Sequence, residues 1–294
     1  MLFAENISLS VGSKKILNNI SLHAHAGELL VIAGPNGAGK STLLRALSEK
    51  TKLDAGTVLV NGLDMNLQDV KELATKRAVL SQSFARGLPF QVEEIVIMGR
   101  YPYFKEHPNL EDEMIVQEVL HVLDIAHLAQ RVYATLSGGE QQRVQLARVL
   151  AQIWNTEKDD SDTVKYLFLD EPVSSLDLYH QQVVLQTAVR MTQSGYCVIA
   201  VLHDLNLISQ YADRVLLLNN GTVGAYGRSE DVFTKERIKQ VYGLDIHIIK
   251  DPNTGQLLII PDSSSFKINQ TINSKYHDNN DNKSIRIDRA LESI

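Results

Sequence analysis

Nine consecutive residues that follow an apolar run near the N-terminus have the spacing of a phosphate-binding loop. They are Gly34, Pro35, Asn36, Gly37, Ala38, Gly39, Lys40, Ser41 and Thr42. Glycines let such a loop wrap a polyphosphate with its N–H groups pointing inward, and the helix that follows adds its positive N-terminal end. The spacing brings Lys40 to the β- and γ-phosphates of a nucleotide and the Ser41 hydroxyl to Mg²⁺. A glycine-rich turn that only caps a helix is the alternative, but it has no use for Lys40 followed by Ser41.

Two carboxylates, Asp170 and Glu171, follow an apolar run at residues 166–169. The strand ends of parallel sheets form ligand crevices, so this position favours a place beside the phosphate-binding loop. Asp170 suits a magnesium ligand, directly or through water, and Glu171 suits a general base that polarises the attacking water. Considered alone, the two side chains could simply begin a solvated loop. The phosphate-binding loop makes the catalytic interpretation the favoured one.

A histidine, His203, closes another apolar run at residues 198–202. A histidine at a strand end is usually only a structural hydrogen-bonding group. Beside the phosphate-binding loop and the carboxylate pair, the favoured interpretation is that His203 contacts the γ-phosphate and orients the nucleophilic water.

Short apolar runs that alternate with helical patterns must position these groups, and they predict an α/β architecture. Three runs are almost wholly apolar, as buried strands of a parallel sheet are. They lie at residues 29–33, 166–169 and 198–202. Residues 2–10 and 16–25 alternate like antiparallel strands. Helical spacing dominates from about residue 92, and a helix is predicted over 139–153.

The composition restricts the class of protein. Of 294 residues, 44% are hydrophobic and 22% are charged, which is typical of a globular chain with a substantial core. No run approaches the roughly 18 to 20 apolar residues of a membrane helix, and the N-terminal residues lack the pattern of a signal peptide. The net charge of −6 argues against a nucleic-acid partner. The single cysteine, Cys197, is expected to be a buried thiol.

A second anion-binding pattern occupies residues 136–143, which read Leu-Ser-Gly-Gly-Glu-Gln-Gln-Arg. A serine and two glycines open a helix here, so the N–H groups of its first turn can meet an anion. One nucleotide does not need two such sites, and a helix cap without a ligand is the alternative. The octet resembles, residue for residue, the signature of the ABC ATPase family. The residues assigned from it to the nucleotide site are Ser137, Gly138, Gly139 and Glu140.

The resemblance covers roughly residues 1 to 260 and implies both a fold and an assembly. The implied fold is a P-loop NTPase with a RecA-like core, an N-terminal antiparallel β subdomain and an inserted α-helical subdomain at about residues 84–153. The implied active unit is a head-to-tail dimer of two copies, in which the signature of one closes on the ATP held by the other. Residues 1–262 would form this ABC ATPase domain, and the polar residues 263–294 are expected to be a disordered tail.

The family resemblance assigns further positions. Gln82 matches the glutamine that senses Mg²⁺ and links the core to the helical subdomain, so it is assigned to the catalytic and metal sites. Residues 174–177 match the loop that crosses the dimer interface. The family often has an aromatic residue, which stacks on adenine, just before the glycine of the first hairpin. Val11 takes this place before Gly12, which puts adenine stacking in doubt.

The helical segment contains a stretch with a narrower resemblance. Residues 99–102 read Gly-Arg-Tyr-Pro and resemble the G-R-x-P stretch of ATPases that serve iron-chelate, heme and vitamin B12 importers. The resemblance is closest to the heme importers, with ferric siderophore and cobalamin as the alternative cargoes. Alternatives of another class are an exporter ATPase and a soluble ABC protein that takes no part in transport.

An importer ATPase implies partners and a location. The implied partners are a transmembrane permease dimer and, indirectly, a substrate-binding protein, with the chain lying peripherally on the cytoplasmic face of the inner membrane. The segment from Phe84 to Tyr103 is the expected groove for the permease's coupling helix. The side chains expected to contribute are Arg86, Phe90, Tyr101 and Phe104.

Overall fold

The computed structural model describes residues 1–49, 51–81, 89–154 and 163–262. The strands in these ranges are β1 (Leu2–Val11), β2 (Lys14–Ala24), β3 (Leu29–Ala33), β4 (Ala55–Val60), β5 (Leu63–Asp64), β6 (Arg77–Leu80), β7 (Tyr166–Asp170), β8 (Cys197–Val201), β9 (Arg214–Asn219), β10 (Thr222–Gly227), β11 (Ile246–Lys250) and β12 (Leu257–Pro261). The α-helices are α1 (Lys40–Ser48), α2 (Val70–Lys76), α3 (Val92–Ile97), α4 (Leu110–Val122), α5 (Gly138–Ile153), α6 (Leu178–Gln193), α7 (Leu205–Tyr211), α8 (Ser229–Val232) and α9 (Lys235–Tyr242). Helices and strands are mixed along the chain, as the α/β prediction requires.

The N-terminal sheet has four strands in the order β2-β1-β4-β5, and every neighbouring pair is antiparallel. Its alternation is visible at the start of β1, where Leu2 and Ala4 are buried and Phe3 and Glu5 are exposed. The buried face packs against apolar residues of α1 and of the central sheet. The predicted antiparallel β subdomain is confirmed.

The central sheet has six strands in the order β10-β9-β3-β8-β7-β6, parallel except between β10 and β9. Every residue of β3 and β8 is buried, because helices or the N-terminal sheet cover both faces. This order puts the ends of β3, β8 and β7 side by side. The phosphate-binding loop, His203 and the carboxylate pair therefore leave neighbouring strands at one edge of the sheet.

Helices α3, α4 and α5 form the inserted helical part, and α5 begins one residue before the predicted start. A buried ion pair holds it together, since Arg100 Nε lies 2.9 Å from Asp112 Oδ1. Arg100 Nη1 also donates to the carbonyl oxygen of Ala151 in α5 at 2.8 Å. A Cβ at Gly99 would collide with the carbonyl oxygen of Arg148, so glycine is needed for this close approach to α5. The Gly-Arg pair of residues 99–100 thus has a packing role.

The described chain ends with α8, α9 and an antiparallel hairpin of β11 and β12, which the sequence analysis did not predict separately. Helix α9 is capped at its C-terminus by Gly243, whose φ of 71° is left-handed and favours glycine. The hairpin pairs Ile246 with Pro261 and Lys250 with Leu257, and it packs against α7.

Some predictions fall outside the described residues. These are the predictions for Gln82, for Phe84 and Arg86, and for the tail at 263–294. Of the helices in the described ranges, none combines the length and the apolar character that crossing a membrane needs. Cys197 is buried, as predicted.

Candidate nucleotide-binding site

The phosphate-binding loop connects the end of β3 to the start of α1. Gly34 and Gly39 have φ values of 143° and 101°, which residues with a side chain rarely adopt. A Cβ at Gly34 would lie 2.5 Å from the carbonyl oxygen of Leu218, so only glycine lets the loop pass strand β9. Helix α1 begins directly after Gly39. The unpaired N–H groups of its first turn therefore face the loop.

The other loop residues lie where the motif predicts. The Ala38 N–H donates to the carbonyl oxygen of Pro35 at 3.2 Å, which closes a tight turn. Asn36 and Gly37 are exposed at the tip of this turn, and Thr42 lies in the first turn of α1. The predicted residues thus form one continuous loop and helix start.

Lys40 folds back over this loop and is only 6% exposed. Its Nζ donates to the carbonyl oxygens of Gly34 at 2.9 Å and Pro35 at 3.0 Å. Burial lowers the pKa of Lys40, and the nearby carboxylates of Glu171 and Asp170 act in the opposite direction. A buried ammonium group held by neutral carbonyl groups of the loop is well placed to bind phosphate oxygens.

Ser41 and Asp170 meet at the base of the loop. The Ser41 hydroxyl donates to Asp170 Oδ1 at 3.0 Å. Burial raises the pKa of Asp170, and the hydrogen bond from Ser41 partly opposes this. A hydroxyl and a carboxylate oxygen are hard ligands of the kind that Mg²⁺ prefers, so these two residues fit a magnesium ion.

Glu171 and His203 contact each other in the site, with Glu171 Oε1 2.6 Å from His203 Nε2. Glu171 has a left-handed φ of 52°, which is unusual for a residue other than glycine. Its N–H donates to the carbonyl oxygen of Val201 at 3.2 Å, so strand β8 helps to hold this conformation. Strained backbone of this kind persists where surrounding contacts maintain it, and it concentrates at active sites.

The predicted signature residues begin helix α5. Ser137 is its N-cap, and the Ser137 hydroxyl accepts from the Glu140 N–H at 3.3 Å. In return the Glu140 carboxylate accepts from the N–H and the hydroxyl of Ser137, at 2.7 and 2.8 Å. These hydrogen bonds from Ser137 lower the pKa of Glu140. A Cβ at Gly139 would lie 3.3 Å from the carbonyl oxygen of Ser175, so the signature packs against the loop that follows the carboxylate pair.

Gln142 is a residue of the site to which the sequence analysis gave no role. Its side chain is buried, and its Nε2 donates to the carbonyl oxygen of Glu171 at 3.1 Å. The neighbouring Gln141 instead donates to the carbonyl oxygens of Tyr133 and Leu136. Residue type does not distinguish the two glutamines, so only the structure identifies Gln142 as a link between α5 and Glu171.

Comparison with known proteins decides the family. The sequence profile of the ABC transporter family matches residues 17–174, which is more than half of the chain. The chain belongs to the ABC transporter family. The matched range contains the phosphate-binding loop, the signature and the carboxylate pair. The ABC family membership predicted from these motifs is therefore confirmed.

Curated relatives of this ABC transporter chain match it over nearly their whole length. The hemin import ATP-binding protein HmuV of Gloeobacter violaceus is 43% identical over 261 residues, which cover 89% of this chain and 94% of that protein. Proteins of the same name from Plesiomonas shigelloides and Escherichia coli O157:H7 are 43% and 42% identical. Those matches cover 86% and 89% of this chain and 99% and 100% of the relatives.

Solved structures of the ABC family share the fold. An ABC transporter of metal-chelate type in an inward-facing conformation has a TM-score of 0.72 at 26% identity, over 90% of this chain and 98% of that one. A dimeric bacterial ABC transporter cassette, MJ0796, has a TM-score of 0.66 at 25% identity, over 78% and 99% of the two chains. The chain is therefore an ATP-binding subunit of an ABC transporter with ATPase activity.

The ABC subunit departs from the common family pattern at the tip of its first hairpin. Val11 is 64% exposed and pairs with Lys14 across the turn. Where the family often presents an aromatic ring to adenine, this chain presents an exposed aliphatic side chain.

Proposed function

We propose that this subunit hydrolyses ATP to drive the import of heme. The assignment of heme as the cargo rests on the name shared by three relatives. Each is a hemin import ATP-binding protein, at 42–43% identity over 94–100% of its length. The geometry of the site supports ATP hydrolysis, whereas the cargo would pass through the permease. Ferric siderophore and cobalamin are the alternative cargoes for the same ATPase.

Lys40 would bind the β- and γ-phosphates in exchange for its present hydrogen bonds to the loop. Ser41 and Asp170 would hold Mg²⁺, with Gln82 as a further ligand implied by the family pattern. When bound, the metal neutralises charge on the phosphate oxygens. The hydrogen bond between Ser41 and Asp170 supports this assignment, because it already brings the two oxygen ligands together.

Glu171 would act as the general base and His203 as the group that contacts the γ-phosphate and orients the water. The 2.6 Å contact between the two side chains supports a joint role. A base that shares a hydrogen bond with a second polar group is held in one orientation, which favours proton abstraction from a positioned water. Gln142 would transmit movement of the signature helix to Glu171 through its hydrogen bond to the Glu171 carbonyl oxygen.

The active unit would be a head-to-tail dimer of this chain. One chain carries two helix starts suited to anions, at α1 and α5, and the signature of one protomer would close on the ATP held by its partner. Closure is favoured only while γ-phosphate contacts exist on both sides, so hydrolysis and phosphate loss reopen the dimer. Relatives of this fold solved as dimers support the arrangement.

A transmembrane permease dimer would receive the movement, with the subunit on the cytoplasmic face of the inner membrane and a substrate-binding protein acting indirectly. Phe90 and Tyr101 are exposed on the inserted helical part and would contact the permease's coupling helix. The ABC ATPase domain would span residues 1–262, with 263–294 as a tail beyond it.

Reconstitution with the permease of a heme importer tests this function. The complex would be placed in proteoliposomes, and ATPase activity would be measured with a binding protein loaded with heme, ferric siderophore or cobalamin. Stimulation by the heme-loaded protein alone is expected, and the same complex carrying Glu171→Gln gives the background. Stimulation by a binding protein that carries another cargo would support an importer ATPase but exclude heme as its cargo. Failure to co-purify with any permease would instead favour a soluble ABC protein that takes no part in transport.

A further inference from the structure

One side chain connects helix α7, which follows His203, to the C-terminal hairpin. Asn206 Nδ2 donates to the carbonyl oxygen of Ile259 at 3.2 Å, and Asn206 Oδ1 accepts from the Ile259 N–H at 2.7 Å. The amide of Asn206 thus pairs with both polar groups of a residue in β12, much as a neighbouring strand would. Two hydrogen bonds in this paired geometry fix orientation as well as distance.

The backbone of the same asparagine belongs to the helix cap beside His203. The Asn206 N–H donates to Asp204 Oδ1 at 2.7 Å, and the Leu207 N–H donates to the same oxygen at 3.2 Å. Asp204 is the N-cap of α7 and is bonded directly to His203 along the chain. A short path therefore runs from the hairpin through Asn206 and Asp204 to the imidazole that contacts Glu171.

The hairpin at the other end of this path is firmly anchored. Ile259 is 4% exposed and belongs to the same apolar core as strands β3 and β8. The helix before the hairpin, α9, ends at Tyr242, and burial raises the pKa of the Tyr242 phenol to about 12. The unit of α9 and the hairpin, residues 235–262, thus packs against both the apolar core and α7. It lies outside the residues matched by the family profile.

We infer that Asn206 is a positioning residue for ATP hydrolysis, which holds α7 against the C-terminal hairpin and so keeps His203 in reach of Glu171. The inference rests on the role proposed above for His203. It gives the C-terminal unit a positioning role in ATP hydrolysis. Loosening the Asn206 contact should slow the chemical step and leave ATP binding intact, because the phosphate-binding loop is untouched.

Asn206→Leu tests this, since leucine has nearly the same size and makes neither hydrogen bond. We expect kcat for ATP to fall about tenfold, as small displacements of a catalytic group do, with KM within about twofold of the original. Asn206→Gln keeps the amide one methylene further out and should restore most of kcat. Asn253→Leu is the matched control, because Asn253 is exposed in the turn of the same hairpin.

A second measurement follows His203 itself. In NMR spectra of the full chain with isotope-labelled histidine, the His203 signals are identified by their absence in His203→Ala. They should shift in Asn206→Leu and stay in place in Asn253→Leu. If Asn206→Leu does not fold, Asn206→Asp serves for both measurements, since it keeps the acceptor for the Ile259 N–H but loses the donor to the Ile259 carbonyl oxygen.

The outcomes separate the inference from the function on which it rests. A lowered melting temperature with unchanged kcat and unchanged His203 signals would overturn the inference and leave Asn206 a merely stabilising residue. Hydrolysis at the original rate by His203→Ala would instead show that His203 does not have the proposed role. An inactive His203→Ala beside a fully active Asn206→Leu would overturn only the inference.

Discussion

The hydroxyl of Ser41 donates to the carboxylate of Asp170 across 3.0 Å, although the two residues are 129 positions apart in the chain. Ser41 lies in the first turn of α1 and Asp170 ends β7, so the contact joins the phosphate-binding loop to the carboxylate pair. It brings together the two oxygens proposed to bind magnesium. Burial raises the pKa of Asp170, and the hydrogen bond from Ser41 opposes part of this rise.

Asp170→Asn should therefore stabilise the folded chain at neutral pH. Because the pKa of Asp170 is raised on folding, the folded chain binds this proton more tightly than the unfolded chain does. The ionised carboxyl costs stability above the raised pKa, and this cost disappears as the pH falls below the ordinary value of 3.8. We expect the melting temperature at pH 7 to rise by a few degrees at most, because Asp170 is only partly buried and solvent screens its charge.

Melting curves across the acid range check this sign, since the gain of Asp170→Asn should shrink towards low pH. Added magnesium and ATP should reverse the order and stabilise the original chain more, because the asparagine is the weaker metal ligand. A variant that is less stable than the original chain at pH 7 without nucleotide would contradict the prediction.

Glu171→Gln should keep ATP binding and lose turnover. The glutamine retains the size of the side chain and can still meet His203, but it cannot take a proton from water. Removal of a general base typically costs a factor of about 10² to 10⁴, so steady-state hydrolysis should fall at least about a hundredfold. Size-exclusion chromatography with ATP should show the variant as a stable closed dimer.

Glu5→Gln is the control for that experiment, since Glu5 is exposed on β1, in the N-terminal sheet. It should hydrolyse ATP at the original rate. If the Glu171→Gln variant still hydrolysed ATP, Glu171 would not be the general base, even if the closed dimer formed.

Arg100→Ala should destabilise the inserted helical part strongly. Arg100 and Asp112 form an ion pair whose side chains are 2% and 1% exposed. Removing one partner of a buried pair leaves an uncompensated charge and costs about 3–5 kcal/mol in the free energy of unfolding. Urea denaturation measures this loss.

The matched control is Lys239→Ala, which breaks an exposed ion pair with Asp245 at 2.8 Å. Its side chains are 63% and 45% exposed, so the expected cost is about 0–1 kcal/mol. Equal losses in the two variants would show that the Arg100 pair contributes little to the packing of the helices.

Val11→Tyr should tighten the binding of ATP. The side chain of Val11 is largely exposed, so a tyrosine fits there without displacing core residues. Aromatic pairs contribute about 0.5–1.5 kcal/mol beyond the area they bury, which corresponds to an affinity gain of up to about tenfold. Calorimetric titration with ATP and GTP would measure it. Val11→Leu controls for added bulk, and an equal gain in that variant would argue against stacking.

The sequence by itself determined the elements and the chemical groups of this subunit. The apolar runs at 29–33, 166–169 and 198–202 became β3, β7 and β8, because a strand covered on both faces must be apolar throughout. The signature helix starts within one residue of its predicted position, since a serine cap and two glycines are local signals. Residue types and spacing also sufficed to predict that Lys40 binds the phosphates of a nucleotide.

The tertiary structure decided which distant groups meet. Strand β3 lies beside β8 and β9, and β7 beside β8, an order that the hydrophobic pattern of each strand does not encode. That order brings Ser41 to Asp170 and Glu171 to His203. The strand order is set by how the apolar faces of the strands and helices pack in the folded chain. No hydrogen bond within a single element specifies this order.

The same reason explains the residues that sequence analysis missed. Gln142 contacts Glu171, and Asn206 contacts Ile259 53 positions away. Both are ordinary amide side chains on helices, where solvent exposure is the usual expectation. Only the packing of α5 against the site, and of the C-terminal hairpin against α7, turns them towards their partners.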